Sequence, residues 1–373
     1  MHLPYCASRC RYCDFNAWVA DKARFTTYID AVLLEAEKKA LGLQPQTVFF
    51  GGGTPSLFPE DELSRLFEGL QKTTGYQTSA FEITAEANPE SFSEKKARAF
   101  SLGGITRVSL GVQSLQPDIL QAYDRAHSSK QALRALNLAK NIFPQCNVDM
   151  IYAFPGQQPE VFFSDLDKLL TYAPSHFSCY ELSYEPGTPL TKKRNAGKWT
   201  PEDPDLCEKL FLETRNFFSQ HHYSHYEVSS FAQENSPCWH NVSTWRMLDC
   251  VGLGAGAVGW KTGVRQKNIL RPEKYESTIF QRGSAVFEEE KPTRKTVLFD
   301  LFMMGLRMPL EGVSVQRAKR LTGLDPLRIY AKELAALQKK GLLQANAEQI
   351  RVTPKGLLLL DTILQSFLPI QSV

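Results

Sequence analysis

The sequence predicts an α/β fold, a partial (β/α)6 barrel of the TIM type with a winged-helix-like α+β module at its C-terminal end. Three observations predict it. Up to about residue 182, short β-branched and aromatic runs alternate with amphipathic helical stretches every 25–40 residues, the rhythm of parallel βα units. Glycines and polar residues gather just after those runs, and barrel sites sit at the carboxyl ends of their strands. From residue 291 the composition turns basic and helical and ends in a ribbon pattern. A doubly wound sheet shares the βα rhythm, but its G-x-G-x-x-G helix start is missing.

The elements justify themselves in order. Residues 1–4 leave room for only a clipped first strand ahead of a cysteine-bearing loop. Residues 24–42 carry Tyr28, Ile29, Val32, Leu33, Ala36 and Ala40 at helical spacing, with Gly42 placed to cap the end. A strand from Gln46 stops at Gly51-Gly52-Gly53-Thr54, and Pro59-Glu-Asp-Glu-Leu opens the next helix. Residues 81–86 alternate as a strand and break at Asn88-Pro89; Ser93 begins a helix. Strands follow at 106–112, 147–153 and 177–182, with helices at 129–142 and 160–172 between them. A long helix spans 205–222. Pro237-Cys-Trp-His-Asn and the glycine-rich stretch 252–259 come next. Helices at 297–306, 315–321 and 326–338, a two-stranded ribbon around 341–353 and a closing helix at 353–367 complete the chain. The predicted domains are 1–200, the barrel; 201–290, its extension; and 291–373, the C-terminal module.

Composition narrows the function. The chain has 373 residues, 43% hydrophobic and 22% charged, ordinary for a globular protein. Net charge is +3, but residues 291–373 hold thirteen Lys and Arg against six Asp and Glu, a local +7 that leaves −4 for the rest. Such an excess fits an anionic ligand, nucleic acid or a plain solvated face. Beyond Cys6, Cys10 and Cys13 the five other cysteines are scattered without disulfide spacing, which predicts a reducing, cytoplasmic setting. No stretch approaches the length of a membrane span.

Cys6, Cys10 and Cys13 form C-x3-C-x2-C. Three thiolates on one tight loop suit three irons of a cube-shaped [4Fe–4S] cluster, which ordinarily takes four, so one iron is left open to a ligand. A zinc knuckle usually pairs two C-x2–4-C units, and no second pair is present. Gly51-Gly52-Gly53-Thr54-Pro55, one βα unit later, ends a strand with backbone that a ligand can approach closely.

Together the triplet and the glycine run resemble the radical S-adenosylmethionine (SAM) family, whose open iron chelates the amino and carboxylate groups of SAM. Ala85-Glu-Ala-Asn-Pro-Glu, Arg107-Val-Ser-Leu-Gly-Val-Gln-Ser and Asn147-Val-Asp-Met-Ile-Tyr-Ala-Phe-Pro-Gly resemble one branch of it, the oxygen-independent coproporphyrinogen III oxidases and the HemW-type haem chaperones. The resemblance spans essentially the whole chain. It implies Cys6, Cys10 and Cys13 as cluster ligands. It also implies that Gly52, Gly53, Thr54, Glu86, Gln113, Arg125 and Asp149 meet SAM, with Ser183 and Val258 as backbone-type contacts. Chemistry agrees, since Arg suits a carboxylate through paired hydrogen bonds.

Two departures choose between the branches. The oxidases place a further Cys two residues after the triplet; Phe15 stands there. The chaperones carry His-Asn-x-x-Tyr-Trp; here it reads His240-Asn241-Val242-Ser243-Thr244-Trp245, with Thr244 in place of Tyr. The resemblance implies His240 as a haem ligand, with Cys238 as a rival thiolate. It also implies a Tyr two residues before His2, where this chain has none, which predicts a first strand continuing upstream in frame. The expected function is a cluster- and SAM-binding chaperone for haem b with a membrane haemoprotein as acceptor and no assigned catalytic residue. The competing readings are coproporphyrinogen III decarboxylation and RNA modification with the basic module as the RNA reader. Nucleic acid is disfavoured as a partner, because no aromatic-basic recognition motif accompanies the charge.

Overall fold

The computed structural model describes residues 1–368; the last five residues of the 291–373 stretch lie outside it. Contacts divide the chain into two compact units. The first holds residues 1–217, 251–259 and 266–288; the second holds 218–250, 260–265 and 289–373. Residues 201–290 therefore contribute to both.

The first unit is built on six strands, β1 (His2–Leu3), β2 (Thr47–Gly52), β3 (Glu82–Ala87), β4 (Arg107–Gln113), β5 (Gln145–Tyr152) and β6 (His176–Glu181). They pair in chain order and all in parallel. Strand order that follows chain order without reversal is the winding of a barrel segment, whereas a doubly wound sheet reverses at a switch point. The crossovers are α1 (Phe25–Lys39), α2 (Glu60–Thr74), α3 (Glu94–Leu102) and α4 (Ser129–Ile142), and α5 (Pro159–Leu170) joins β5 to β6. α2 shows why they form. Leu63, Leu66, Phe67 and Leu70 are buried at helical spacing, and Gly75 at φ 64° ends the helix in the left-handed region. α4 begins with a capping box between Ser128 and Gln131. The strands alternate: Val108, Leu110, Val112, Val148 and Met150 are fully buried on one face, while Arg107, Ser109, Asn147 and Asp149 alternate with them on the other.

The second unit carries the hairpin Ser224–Glu227 with Ser230–Ala232, the short helix Trp239–Trp245 and the C-terminal module. In that module Leu343–Ala345 and Gln349–Val352 form the expected ribbon. Val313–Ser314 adds a third antiparallel strand, too short to show as a pattern in sequence. The expected 326–338 helix is two helices, Pro326–Ile329 and Ala331–Lys339, and the closing helix is likewise split into Pro354–Leu357 and Leu360–Gln365. Tyr330 and Leu359, at φ −108° and −117°, break the helical path.

Candidate functional site

The cysteine loop is closed at its base by backbone. Tyr5–Cys6 pairs in parallel with Trp18–Val19, and Ala20 N–H donates to Cys6 O at 2.9 Å. Within the loop Cys13 N–H donates to Cys10 O at 3.2 Å. Its flank is pinned where Arg11 N–H donates to Tyr123 O and Leu190 N–H to Arg11 O. Three half-buried cysteines are thus held on one turn. Burial pushes the Cys6 thiol up to about 11 and raises that of Cys13. Metal binding must therefore displace protons from these thiols. Among the described residues no group of three His, Cys, Asp or Glu is gathered to hold a single ion. A cluster differs from a zinc site here, since each thiolate takes its own iron.

The glycine turn lies directly against this loop. Thr54 N–H donates to Tyr5 O at 2.8 Å, and the Thr54 hydroxyl donates to Cys6 Sγ at 3.3 Å. A Cβ on Gly53 would stand 2.6 Å from the Pro4 carbonyl carbon, and one on Gly52, at φ 114°, 2.3 Å from the His2 ring. Only glycine permits so close a packing of backbones. Gly52 N–H donates to Glu86 Oε2 at 3.0 Å. Burial, reinforced by the charge of Asp149, pushes the Glu86 carboxyl up to about 7.

Arg125 reaches in from beyond β4. Its Nη1 donates to Cys10 Sγ at 3.4 Å, and its Nη2 donates to Asn88 Oδ1 at 2.8 Å and to Gly111 O at 2.6 Å. Its Nε is buried with no partner among the described residues. Asp149 accepts from Ser109 Oγ at 2.9 Å and Asn147 Nδ2 at 2.8 Å, and burial raises its carboxyl. Gln113 ends β4 at φ 67°, where the register with β5 shifts.

The sequence expectation put these residues just after their strands. Glu86 is instead the penultimate residue of β3 and Gln113 the last of β4, and Asp149 sits in the middle of β5. Cys6, Cys10, Gly52, Thr54, Glu86 and Arg125 share one hydrogen-bonded neighbourhood. Ser183 and Val258 are exposed, and the Val258 carbonyl packs against Gly252. Sequence reasoning missed Asn88, which links Thr54 to Arg125; its signal was present as Asn-Pro at the end of β3, two residues after Glu86.

In the second unit, His240 is the second residue of helix Trp239–Trp245 and is partly buried. Burial lowers its imidazole to about 4, so it is neutral at pH 7. Trp239 and Trp245 are partly buried, and both pack on a buried cluster of Tyr226, Ala232, Val242 and Met308. Arg246 lies over the Trp239 ring and Arg307 over the Trp245 ring, each with the guanidinium carbon 5.9 Å from the ring centre. Cys238 is buried, and its N–H donates to the Tyr226 hydroxyl.

The residues of the first unit fit the cluster and SAM. They supply three cysteines on one loop, a glycine turn packed directly against that loop, and a buried guanidinium N–H with no partner among the described residues. Residues 1–169 match the family model described as the radical SAM superfamily, and residues 293–359 match the HemN C-terminal domain. The chain is 33% identical to radical S-adenosyl methionine domain-containing protein 1, mitochondrial, of Mus musculus, over 99% of its own length and 86% of the relative's. It is 31% identical to the heme chaperone HemW of Haemophilus influenzae and 30% to that of Buchnera aphidicola subsp. Schizaphis graminum, covering 99% of this chain and 97% of each relative. Coproporphyrinogen III oxidase (HemN) from Escherichia coli shares its fold, with a TM-score of 0.84 at 23% identity over 98% of this chain and 88% of that one. No helix among the described residues is long and apolar enough to cross a membrane. The chain belongs to the radical SAM superfamily, a family of SAM- and [4Fe–4S]-binding proteins, and within it to the HemN-like branch that includes the HemW relatives.

Proposed function

We propose that this chain is a [4Fe–4S]- and SAM-binding haem chaperone that takes up haem b and passes it to an acceptor haemoprotein in the membrane, working from the cytoplasm. The observation that carries the reading is the pair of His240-Asn241 present and cysteine absent at Phe15, in a chain aligned almost end to end with relatives named heme chaperone.

In this reading Cys6, Cys10 and Cys13 hold three irons, and the fourth is open to SAM. Arg125, with its buried Nε free, receives the SAM carboxylate by charge-assisted hydrogen bonding. Gly52, Gly53 and Thr54 let SAM lie against backbone, and Glu86, Gln113, Asp149, Ser183 and Val258 complete its surroundings. The reduced cluster, when bound, supplies electron transfer to the sulfonium; the protein orients it and keeps it from water. His240, neutral at pH 7, offers a lone pair to haem iron without first losing a proton. Arg307, over the Trp245 ring, and Arg246, over the Trp239 ring and paired with Glu311, are the candidate cations for haem propionates.

The alternative is coproporphyrinogen III oxidation, which the fold likeness to HemN alone would allow. Phe15 is 65% exposed and offers no sulfur where that branch has one. Anaerobic incubation of cluster-loaded protein with coproporphyrinogen III, SAM and reductant tests this. The chaperone reading expects no CO2 release, and turnover would overturn it.

A further inference from the structure

The geometry points to Asn88 as a positioning residue that aims Arg125 at the SAM carboxylate and ties that aim to the cluster thiols. It rests on the cluster and SAM reading above.

Asn88 is fixed at every polar group. Its backbone N–H donates to Ser56 Oγ at 3.2 Å, and its carbonyl accepts from Ser91 N–H at 3.0 Å and Ser91 Oγ at 3.2 Å. The two serine hydroxyls bond each other at 2.6 Å. These bonds hold the backbone from which the side chain extends. There its two arms separate. Nδ2 donates to Thr54 Oγ1 at 3.0 Å, and Thr54 Oγ1 donates to Cys6 Sγ at 3.3 Å. Oδ1 accepts from Arg125 Nη2 at 2.8 Å, and Arg125 Nη1 donates to Cys10 Sγ at 3.4 Å. One carboxamide therefore closes a chain of hydrogen bonds from one cysteine sulfur to another.

A second observation supports the assignment independently. A Cβ on Gly111 would stand 2.8 Å from Asn88 Oδ1 and 3.2 Å from Arg125 Nη2. Glycine at 111 keeps open the space in which these two atoms meet. An amide suits the task because it donates on one arm and accepts on the other. A carboxylate keeps the acceptor for Arg125 but loses the donor to Thr54. Groups that orient the residues around a metal centre adjust its affinity and electronic properties without touching it.

The test uses the full chain, reconstituted anaerobically, as wild type, Asn88→Ala and Asn88→Asp. Iron and sulfide content, the EPR spectrum of the dithionite-reduced cluster with and without SAM, and SAM affinity by equilibrium dialysis are measured. Asn88→Ala is expected to keep its cluster and bind SAM about tenfold more weakly, the loss of one hydrogen bond to a charged group. Its EPR spectrum without SAM should differ from wild type. Asn88→Asp should recover most of the SAM affinity, because its oxygen still faces Arg125, yet retain an altered EPR spectrum, because the Thr54 arm is gone. Unchanged SAM affinity and EPR in Asn88→Ala would overturn the inference, as would an Asp variant no better than Ala. If Asn88→Ala fails to fold, the Asp variant decides by the same two readouts. A wild-type chain that takes up no cluster would overturn the cluster reading and this inference with it.

Discussion

The two regions that carry the proposed chemistry are built in opposite ways. Around Cys6, Gly52 and Arg125 the backbone does the work. Strands β1 to β4 deliver glycines, a threonine and an asparagine to within hydrogen-bond reach of a cysteine loop, and a Cβ at Gly53 or Gly111 has nowhere to go. Around His240 the work falls to side chains on one helix of seven residues, with its two tryptophans packed inward and arginines stacked on their rings. A backbone-built site tolerates few substitutions, because shifting one segment shifts the ladder beside it. A site built from side chains can lose one ligand and keep its fold.

The largest expected effect breaks the first region. Cys6→Ala, Cys10→Ala or Cys13→Ala should each abolish an otherwise full complement of about four irons per chain; any variant that retains a normal cluster would contradict the ligand assignment. Gly53→Ala comes next. Its methyl meets backbone at Pro4 and Tyr5, where nothing yields as a flexible side chain would. We expect about 1–3 kcal/mol of destabilisation, the usual range for overpacking, together with loss of SAM binding; urea denaturation and equilibrium dialysis would show both.

A smaller effect sharpens the contrast through pH. The folded-state carboxyl of Glu86 titrates near 7, above its ordinary 4.5, because burial and Asp149 disfavour its charge. The folded protein therefore binds the proton more tightly than the unfolded chain. Its contribution to stability is full below about pH 4.5 and is lost as pH rises to 7. Glu86→Gln should flatten this slope, leaving the apoprotein more stable than wild type above pH 7, on the order of 2 kcal/mol, and little changed near pH 4. Melting temperatures across that range measure it, and an unchanged slope would refute the assignment. His240 should show no such sensitivity in this range. Because burial lowers its imidazole to about 4, haem affinity should stay level from pH 8 to 5. A decline centred near 6.5 would mean that the imidazole is not buried as described.

Much of the first region was legible in sequence because its signals are local. The cysteine spacing, the glycine run after an apolar strand and the polar strand ends each announce themselves within a few residues. Asn88 was overlooked because its role depends on Arg125, 37 residues later, and on Thr54, 34 residues earlier. The strand Val313–Ser314 was invisible for a related reason, since two residues carry no periodicity and gain their identity only by pairing with Gln349–Ile350. The breaks at Tyr330 and Leu359 fall inside stretches whose apolar pattern is continuous, so pattern alone joined what backbone angles separate.

The central claim is that His240, and not the cluster region, holds the haem. The most direct measurement is the optical spectrum and affinity of haem bound to the cluster-loaded protein, wild type against His240→Ala, with iron and sulfide assayed on the same samples. The account predicts about one haem per chain in the wild type, a changed Soret band and weakened binding in His240→Ala, and an unchanged cluster content. Haem bound by His240→Ala with the wild-type spectrum and affinity would contradict it.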